Sequence, residues 1–205
     1  MTRAKKKIWI MVRCISALVL FATQLILWID SWKTLDTMEP LNFFGYWTNQ
    51  GNILGIAALL IAAAYTGKQR PAWVEVIRFV ATVNLIMVTA LYWLFVQGDD
   101  VGVRFLWANY MVHLVAGVII TADWFVEGPR KTVPISKLWI GIIYPFAWLT
   151  ITGVRYLIDG WVPYAVLEPS NGIAAISGIT AEFLLSSILF GAIVILISKF
   201  RVYQP

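Results

Sequence analysis

The 205-residue chain is poor in charged residues, in cysteine and in histidine. Asp, Glu, Lys and Arg make up 13% of it and hydrophobic residues 60%, a balance too apolar for a soluble domain. Cys14 has no second cysteine for an internal disulfide, and one cysteine with one histidine cannot build a Cys–His zinc site. The single histidine also excludes a haem held by two histidines, although one histidine ligand stays open. We therefore expect no cofactor and no metal.

Apolar segments of membrane-spanning length recur to the end of the sequence, with polar, Gly- and Pro-containing separators between them. A helix needs roughly 20 apolar residues to cross a bilayer, and Gly and Pro end helices and begin turns. The pattern predicts an all-α polytopic bundle of six transmembrane helices, forming one integral membrane domain over residues 1–205. The expected spans are Ile8–Ile29, Leu41–Thr66, Val74–Val96, Phe105–Phe125, Leu138–Ile158 and Ile173–Phe200.

The lysines and arginines between the spans predict the orientation, because these residues are retained on the cytoplasmic side. With both termini cytoplasmic, the outer side keeps only Lys33 and Arg104. The net charge of +5 is thus a topology signal, and no nucleic-acid partner is expected. The inner cations are Arg3, Lys5, Lys6, Lys7, Lys68, Arg70, Arg130, Lys131, Lys137, Lys199 and Arg201, and the outer acids are Asp30, Asp36, Glu39, Asp99, Asp100, Asp159 and Glu168.

A polar run, Thr48-Asn49-Gln50-Gly51-Asn52, lies inside the second expected span. Hydrocarbon offers no hydrogen-bond partners, so these groups must be satisfied within the protein. Counted from the outer ends of their spans, Thr48 and His113 both lie roughly 10–12 Å below the outer boundary, at 1.5 Å per residue. Glu182 reaches roughly 13–14 Å. Three helices are therefore expected to bring polar side chains to one layer in the outer leaflet.

Thr48 and His113 form a candidate nucleophile and base. Threonine is a weak nucleophile until a base removes its proton, and a neutral imidazole is suited to that near pH 7. Burial disfavours the imidazolium, so a carboxylate or an amide should hold the correct tautomer. Amides beside the nucleophile could also donate to a developing oxyanion. The candidates for these orienting and oxyanion roles are Asn49, Gln50, Asn52, Asn109 and Glu182.

Several of these polar residues also have a purely structural explanation. A lone histidine in a helical bundle often donates to a neighbouring helix, and Thr48 could cap an N-terminus or bond its own helix. Glu182 is harder to explain in this way, since an intramembrane carboxylate is costly. We expect Arg13 and Arg78 to snorkel to the inner interface, where Arg78 can also pair with Glu75 at i, i+3. Tyr164 is expected to belong to an outer aromatic belt.

Short motifs in the sequence resemble those of a known membrane family. Tyr46-Trp47-Thr48-Asn49-Gln50-Gly51-Asn52 is similar to its aromatic–Thr-Asn-Gln-x-Asn motif, and Asn109-Tyr110-Met111-Val112-His113 is similar to its histidine helix. The pattern is completed by Asp123-Trp124, Tyr144-Pro145, Gly160-Trp161-Val162-Pro163-Tyr164 and Glu168-Pro169. The family is that of the androgen-induced and androgen-dependent six-span membrane proteins, whose animal members hydrolyse fatty acid esters of hydroxy fatty acids.

The resemblance covers most of the chain from the second span to the sixth. It implies a bacterial relative in the inner (cell) membrane, with Thr48 as nucleophile and His113 as base. Gly51, where bacterial relatives commonly have serine, and Glu168, where aspartate is usual, depart from the pattern without touching that pair. The expected function is hydrolysis of long-chain fatty acid esters, with esters of hydroxy fatty acids as one candidate substrate and membrane lipids or a lipid ester as partner. The alternatives are a non-enzymatic lipid- or small-ligand-binding or transport protein, and a structural partner subunit.

Overall fold

Six long helices lie in the part of the chain that the computed structural model describes, which is residues 3–34, 41–96, 104–130 and 133–200. Expected inner or outer charges at Asp36, Glu39, Asp99, Asp100, Lys131 and Arg201 fall outside these residues. The helices are α1 (Arg3–Thr34), α2 (Trp47–Ala64), α3 (Ala72–Leu91), α4 (Leu106–Val126), α5 (Trp139–Asp159) and α6 (Ile173–Ile197). Short 3-10 turns occupy Asn42–Gly45, Ile135–Lys137, Ala165–Leu167 and Pro169–Asn171.

Five of the described helices, namely α1, α3, α4, α5 and α6, are long and apolar enough to cross a membrane. Helix α2 has 18 residues but is not among them, because polar side chains fill its first two turns. The outward faces of α1, α5 and α6 expose leucine, isoleucine and phenylalanine, as lipid contact requires. The chain is therefore an apolar helical bundle, the class that the sequence predicted.

The prediction for the start of the second span is wrong. A helix was expected from Leu41, but Asn42–Gly45 forms a 3-10 turn and Tyr46 is extended, with φ −69° and ψ 133°. The amides of Asn49 and Gln50 donate to carbonyl oxygens of this turn, which satisfies groups that a continuous helix would bond through its own backbone. Thr48 consequently lies in the first turn of α2 and not deep within a helix.

Helix α3 is the centre of the bundle, because it packs against α2, α4, α5 and α6, whereas α1 packs mainly on α2. The approach of α3 to α4 is close at Gly117. A Cβ at that position would lie 2.2 Å from the Thr89 hydroxyl oxygen and 3.0 Å from the Leu85 carbonyl oxygen. Small residues allow such contacts between membrane helices. Gly117 thus sets the distance between the two helices that meet at the site described below.

One π-helical turn, Tyr92–Val96, directly follows α3, and a second, Met111–Val115, lies within the first half of α4. A π-turn shifts the backbone hydrogen-bond pattern by one residue and is frequent at functional sites. Tyr92 begins the first turn and His113 is the middle residue of the second. The stretch of helix that carries the histidine is therefore locally irregular, which the apolar periodicity alone does not reveal.

A buried group of ion pairs joins α1, α3 and α4 through Arg13, Arg78 and Asp123. The prediction that both arginines snorkel is wrong, whereas the expected pairing of Arg78 with Glu75 is confirmed. Arg13 and Arg78 are only 1% and 2% exposed. Arg13 Nε lies 2.6 Å from one Asp123 oxygen, and Arg78 Nη2 lies 2.9 Å from the other. Burial by itself raises the pKa of Glu127, but Arg13 and Arg70 hold that pKa below its ordinary value. The acids of α4 face inward, so the arginines turn inward to neutralise them.

Candidate active site

Helices α2 and α4 bring Thr48 and His113 into direct contact. Thr48 Oγ1 lies 3.2 Å from His113 Nε2, within the range of nucleophile–base pairs in hydrolases. Both side chains line the same cavity. The sequence predicted this proximity from equal depths in two regular helices. The structure reaches it differently, with Thr48 at the beginning of α2 and His113 in a π-turn.

The hydrogen bonds of the imidazole define its tautomer. His113 Nδ1 lies 2.6 Å from Asn109 Oδ1 and 3.2 Å from the Asn109 backbone oxygen. A backbone carbonyl can only accept a hydrogen bond, so Nδ1 carries the proton. The unprotonated Nε2 then faces the Thr48 hydroxyl, which is the arrangement that a general base requires.

Tyr92 holds Asn109 and His113 in place. The Asn109 side-chain NH₂ donates to the Tyr92 hydroxyl, which keeps the amide oxygen directed at the imidazole. The Tyr92 ring also stacks on the imidazole, with centroids 3.6 Å apart and planes 13° apart. Of the expected orienting groups, Asn109 is therefore the one that contacts His113 Nδ1. The sequence analysis did not identify Tyr92, because its role depends on the local irregularity of both helices.

Asn52 joins the two helices beside the reacting pair. It is fully buried, and its NH₂ group donates to the Thr48 carbonyl at 2.8 Å and to the Val112 carbonyl at 3.0 Å. Val112 precedes His113 in the π-turn. Asn52 thus positions the backbone next to both members of the pair, whereas Asn109 contacts the imidazole ring itself.

Asn49 and Gln50 face the 3-10 turn and do not line the cavity. Asn49 donates to the Phe43 carbonyl at 2.7 Å, and Gln50 donates to the Phe44 carbonyl at 2.7 Å. The Gln50 side-chain oxygen accepts a hydrogen bond from the Tyr144 hydroxyl at 2.8 Å. Their amides stabilise the entry of the chain into α2, and this geometry does not support the oxyanion role expected for them.

Tyr164 is a site residue that the sequence analysis assigned to an aromatic belt. It lies in the connection after α5 and lines the cavity, and its hydroxyl oxygen accepts a 3.4 Å hydrogen bond from the Thr48 amide. Burial raises the pKa of Tyr164 to about 12, so the phenol keeps its proton at neutral pH and can donate. The signal that could have identified it is the Gly160–Pro163 turn, which returns the chain towards the bundle.

The cavity between α2 and α6 has a volume of about 280 Å³. Its wall is mostly aromatic and aliphatic, and Trp47, Trp148 and Phe183 form one ring cluster with centroids 4.9–5.4 Å apart. The polar groups on the wall include Thr48, His113 and Glu182. An apolar cavity with few polar groups is typical of sites for lipids and small molecules. In the described residues, no cluster of three His, Cys, Asp or Glu could hold a metal ion.

Comparison with known proteins yields no match: no protein-family model, curated protein or solved structure matches this chain. The family resemblance therefore remains a prediction from short motifs. The functional interpretation depends on the geometry of Thr48, His113 and Asn109 and on the cavity beside them.

Proposed function

We propose that this chain is an intramembrane lipid-ester hydrolase in which Thr48 is the nucleophile and His113 the general base. One observation carries this proposal: Thr48 Oγ1, the His113 imidazole and the Asn109 amide oxygen form a continuous hydrogen-bonded series. This order of nucleophile, base and orienting group is that of Ser- and Cys-dependent acyl transfer. The apolar cavity supports a long acyl chain as the substrate.

In the first half-reaction, Thr48 Oγ1 attacks the ester carbonyl carbon while its proton passes to His113 Nε2. The imidazolium that forms is stabilised by Asn109, which accepts the Nδ1 hydrogen bond at 2.6 Å. The bond to the alcohol then breaks, and His113 returns the proton to the leaving oxygen. The products of this step are the free alcohol and an acyl ester on Thr48.

In the second half-reaction, His113 Nε2 takes a proton from water, and the hydroxyl attacks the acyl carbon. Thr48 Oγ1 leaves with the proton that His113 returns, which releases the fatty acid and restores the site. In both halves a negative charge develops on the former carbonyl oxygen. We assign its stabilisation to the Tyr164 hydroxyl, aided by the positive end of α2, in whose first turn Thr48 lies.

We further propose that α2 is a sixth crossing and that both termini are cytoplasmic. Five apolar helices and the Lys/Arg distribution of the sequence support this arrangement. The site would then lie in the outer leaflet, where acyl chains lie among helices and water can reach the ester. A bacterial cell membrane is the location that the family resemblance implies.

The mostly apolar cavity equally favours a second candidate, a protein that binds or transports lipids without chemistry. A covalent serine/threonine-hydrolase probe applied to the purified protein separates the two. We expect one labelled peptide that contains Thr48, and no label on Thr48→Ala. Thr150→Ala is the matched control, because Thr150 is an exposed threonine whose one hydrogen bond in the described part of the chain is to the Phe146 carbonyl of its own helix α5. Saturable lipid binding without hydrolysis or label at Thr48 would support the binding protein instead.

A further inference from the structure

The proposed catalytic steps give no role to the carboxylate of Glu182. It lies on α6, is exposed and lines the cavity that Thr48 and His113 also line. The following residue, Phe183, contacts the ring of Trp47 with centroids 4.9 Å apart, and Trp47 directly precedes Thr48. Glu182 is thus on the wall of the cavity into which the reacting pair also faces.

Among the described residues, Glu182 has no hydrogen bond and no ion pair. It does not orient the base, because Asn109 occupies His113 Nδ1 and Nε2 faces Thr48. None of the described residues on the cavity wall is lysine or arginine. Glu182 is exposed, and no described residue pairs with its carboxylate. The carboxylate is therefore available to a hydrogen-bond donor of a ligand in the cavity that it lines.

We propose that Glu182 selects lipid esters whose polar end carries a hydrogen-bond donor, either a hydroxyl or an ammonium group. A carboxylate forms strong, charge-assisted hydrogen bonds with both. An ester whose polar end is a carboxylate would instead place a like charge beside Glu182, with no lysine or arginine among the described wall residues to offset it. The geometry thus points away from esters of hydroxy fatty acids, whose free acid end is anionic.

This inference rests on the proposed function for its substrate class, so binding is measured separately from turnover. Three non-hydrolysable ligands share one hexadecyl chain: the glycerol ether, the primary amine and the fatty acid. We expect the wild-type protein to bind the ether and the amine at least about tenfold more tightly than the acid, because one charge-assisted hydrogen bond is gained or lost. Quenching of the cavity tryptophans provides the readout.

Variants of Glu182 then test the cause of the preference. Glu182→Gln keeps the shape and removes the charge, so the preference for the amine should fall about tenfold. Glu182→Lys should bind the fatty acid more tightly than the amine. If this variant does not fold, the ligand ratios of Glu182→Gln alone test the inference. Glu168→Gln is the matched control, because Glu168 is an exposed glutamate that does not line the cavity. Unchanged ligand ratios in Glu182→Gln would overturn the inference.

Hydrolysis gives the second readout, with three esters of the same acyl chain whose alcohols carry hydroxyl, ammonium or carboxylate groups. We expect kcat/KM to follow the order of binding and Glu182→Gln to reduce the differences. Thr48-dependent hydrolysis that is fastest for the carboxylate ester would refute the Glu182 assignment and leave the proposed function standing. Ligand ratios that change in Glu182→Gln, in a protein that hydrolyses none of the three esters, would support the Glu182 assignment and refute the proposed function.

Discussion

At the scale of single residues, the contact between Thr48 and His113 predicts strong non-additivity. Thr48→Ala and His113→Ala should each lower kcat by on the order of 10⁴-fold or more, because the hydroxyl attacks only when the imidazole removes its proton. The double variant should be hardly worse than either single one, since the two residues act as a unit. Steady-state hydrolysis of a long-chain ester by the purified variants measures this.

Thr48→Ser keeps the hydroxyl and should retain part of the activity, so it separates loss of the nucleophile from loss of folding. Turnover that is unchanged in Thr48→Ala would show that another group attacks the ester. Similar thermal midpoints for the alanine variants and the parent protein serve as the control.

Tyr164→Phe should lower kcat by about 10²–10³-fold, which is the cost of one oxyanion donor in other hydrolases. The raised pKa, about 12, keeps the phenol protonated throughout pH 7 to 9, so the loss should be constant across that range. A rate–pH profile with saturating ester measures it. A rise in KM with unchanged kcat would mean that Tyr164 only helps to bind the substrate.

At the scale of the helices, the close approach of α3 to α4 holds Tyr92 against His113. Gly117→Ala places a methyl group against the Thr89 hydroxyl and the Leu85 carbonyl, so the helices must separate. We expect a lower thermal midpoint and a loss of ester turnover, both measurable on the same sample. Thr89→Ala in the same chain should restore part of both, because it removes the nearest atom.

Gly153→Ala is the matched control for this helix prediction. Gly153 lies within α5, and an added methyl group there would meet no atom within 4 Å. Alanine is favoured over glycine in a helix by about 0.5–1 kcal/mol, so this variant should be at least as stable as the parent. Equal destabilisation by both substitutions would contradict the packing explanation for Gly117.

At the scale of the whole molecule, the buried ion pairs predict how stability depends on pH. The folded-state pKa of Glu127 lies below its ordinary value, so its ionisation stabilises the fold above the ordinary pKa of 4.5, and this contribution is lost as pH falls through the lowered pKa. Glu127→Gln should therefore lower the thermal midpoint most at pH 7 and progressively less below pH 4.5. A midpoint difference that does not shrink on acidification would mean that the charge of Glu127 is not the cause.

The orientation of the bundle also belongs to this scale. Tags at both termini should report the cytoplasm, and a tag at Asp99 should report the exterior, because lysine and arginine are retained inside. Asp99 lies outside the described residues, and its expected side comes from the sequence alone. Termini on opposite sides would mean an odd number of crossings and would remove α2 as a sixth span.

The sequence by itself determined the helical class, the approximate ends of most helices and the pair Thr48 and His113. Long apolar segments must form helices in lipid, and polar side chains within them are conspicuous for the same reason. The error at Leu41 arose because apolarity does not distinguish a 3-10 turn from the first turn of a helix. Side-chain amides of Asn49 and Gln50 decided that boundary.

Only the tertiary structure decided which groups surround the pair. Asn109 and Glu182 were both suitable partners for His113; the structure shows Asn109 on Nδ1 and Glu182 on the cavity wall. Tyr92 and Tyr164 join the site through contacts between residues distant in sequence. Such contacts depend on how helices pack and how loops return, which the period of apolar residues does not encode.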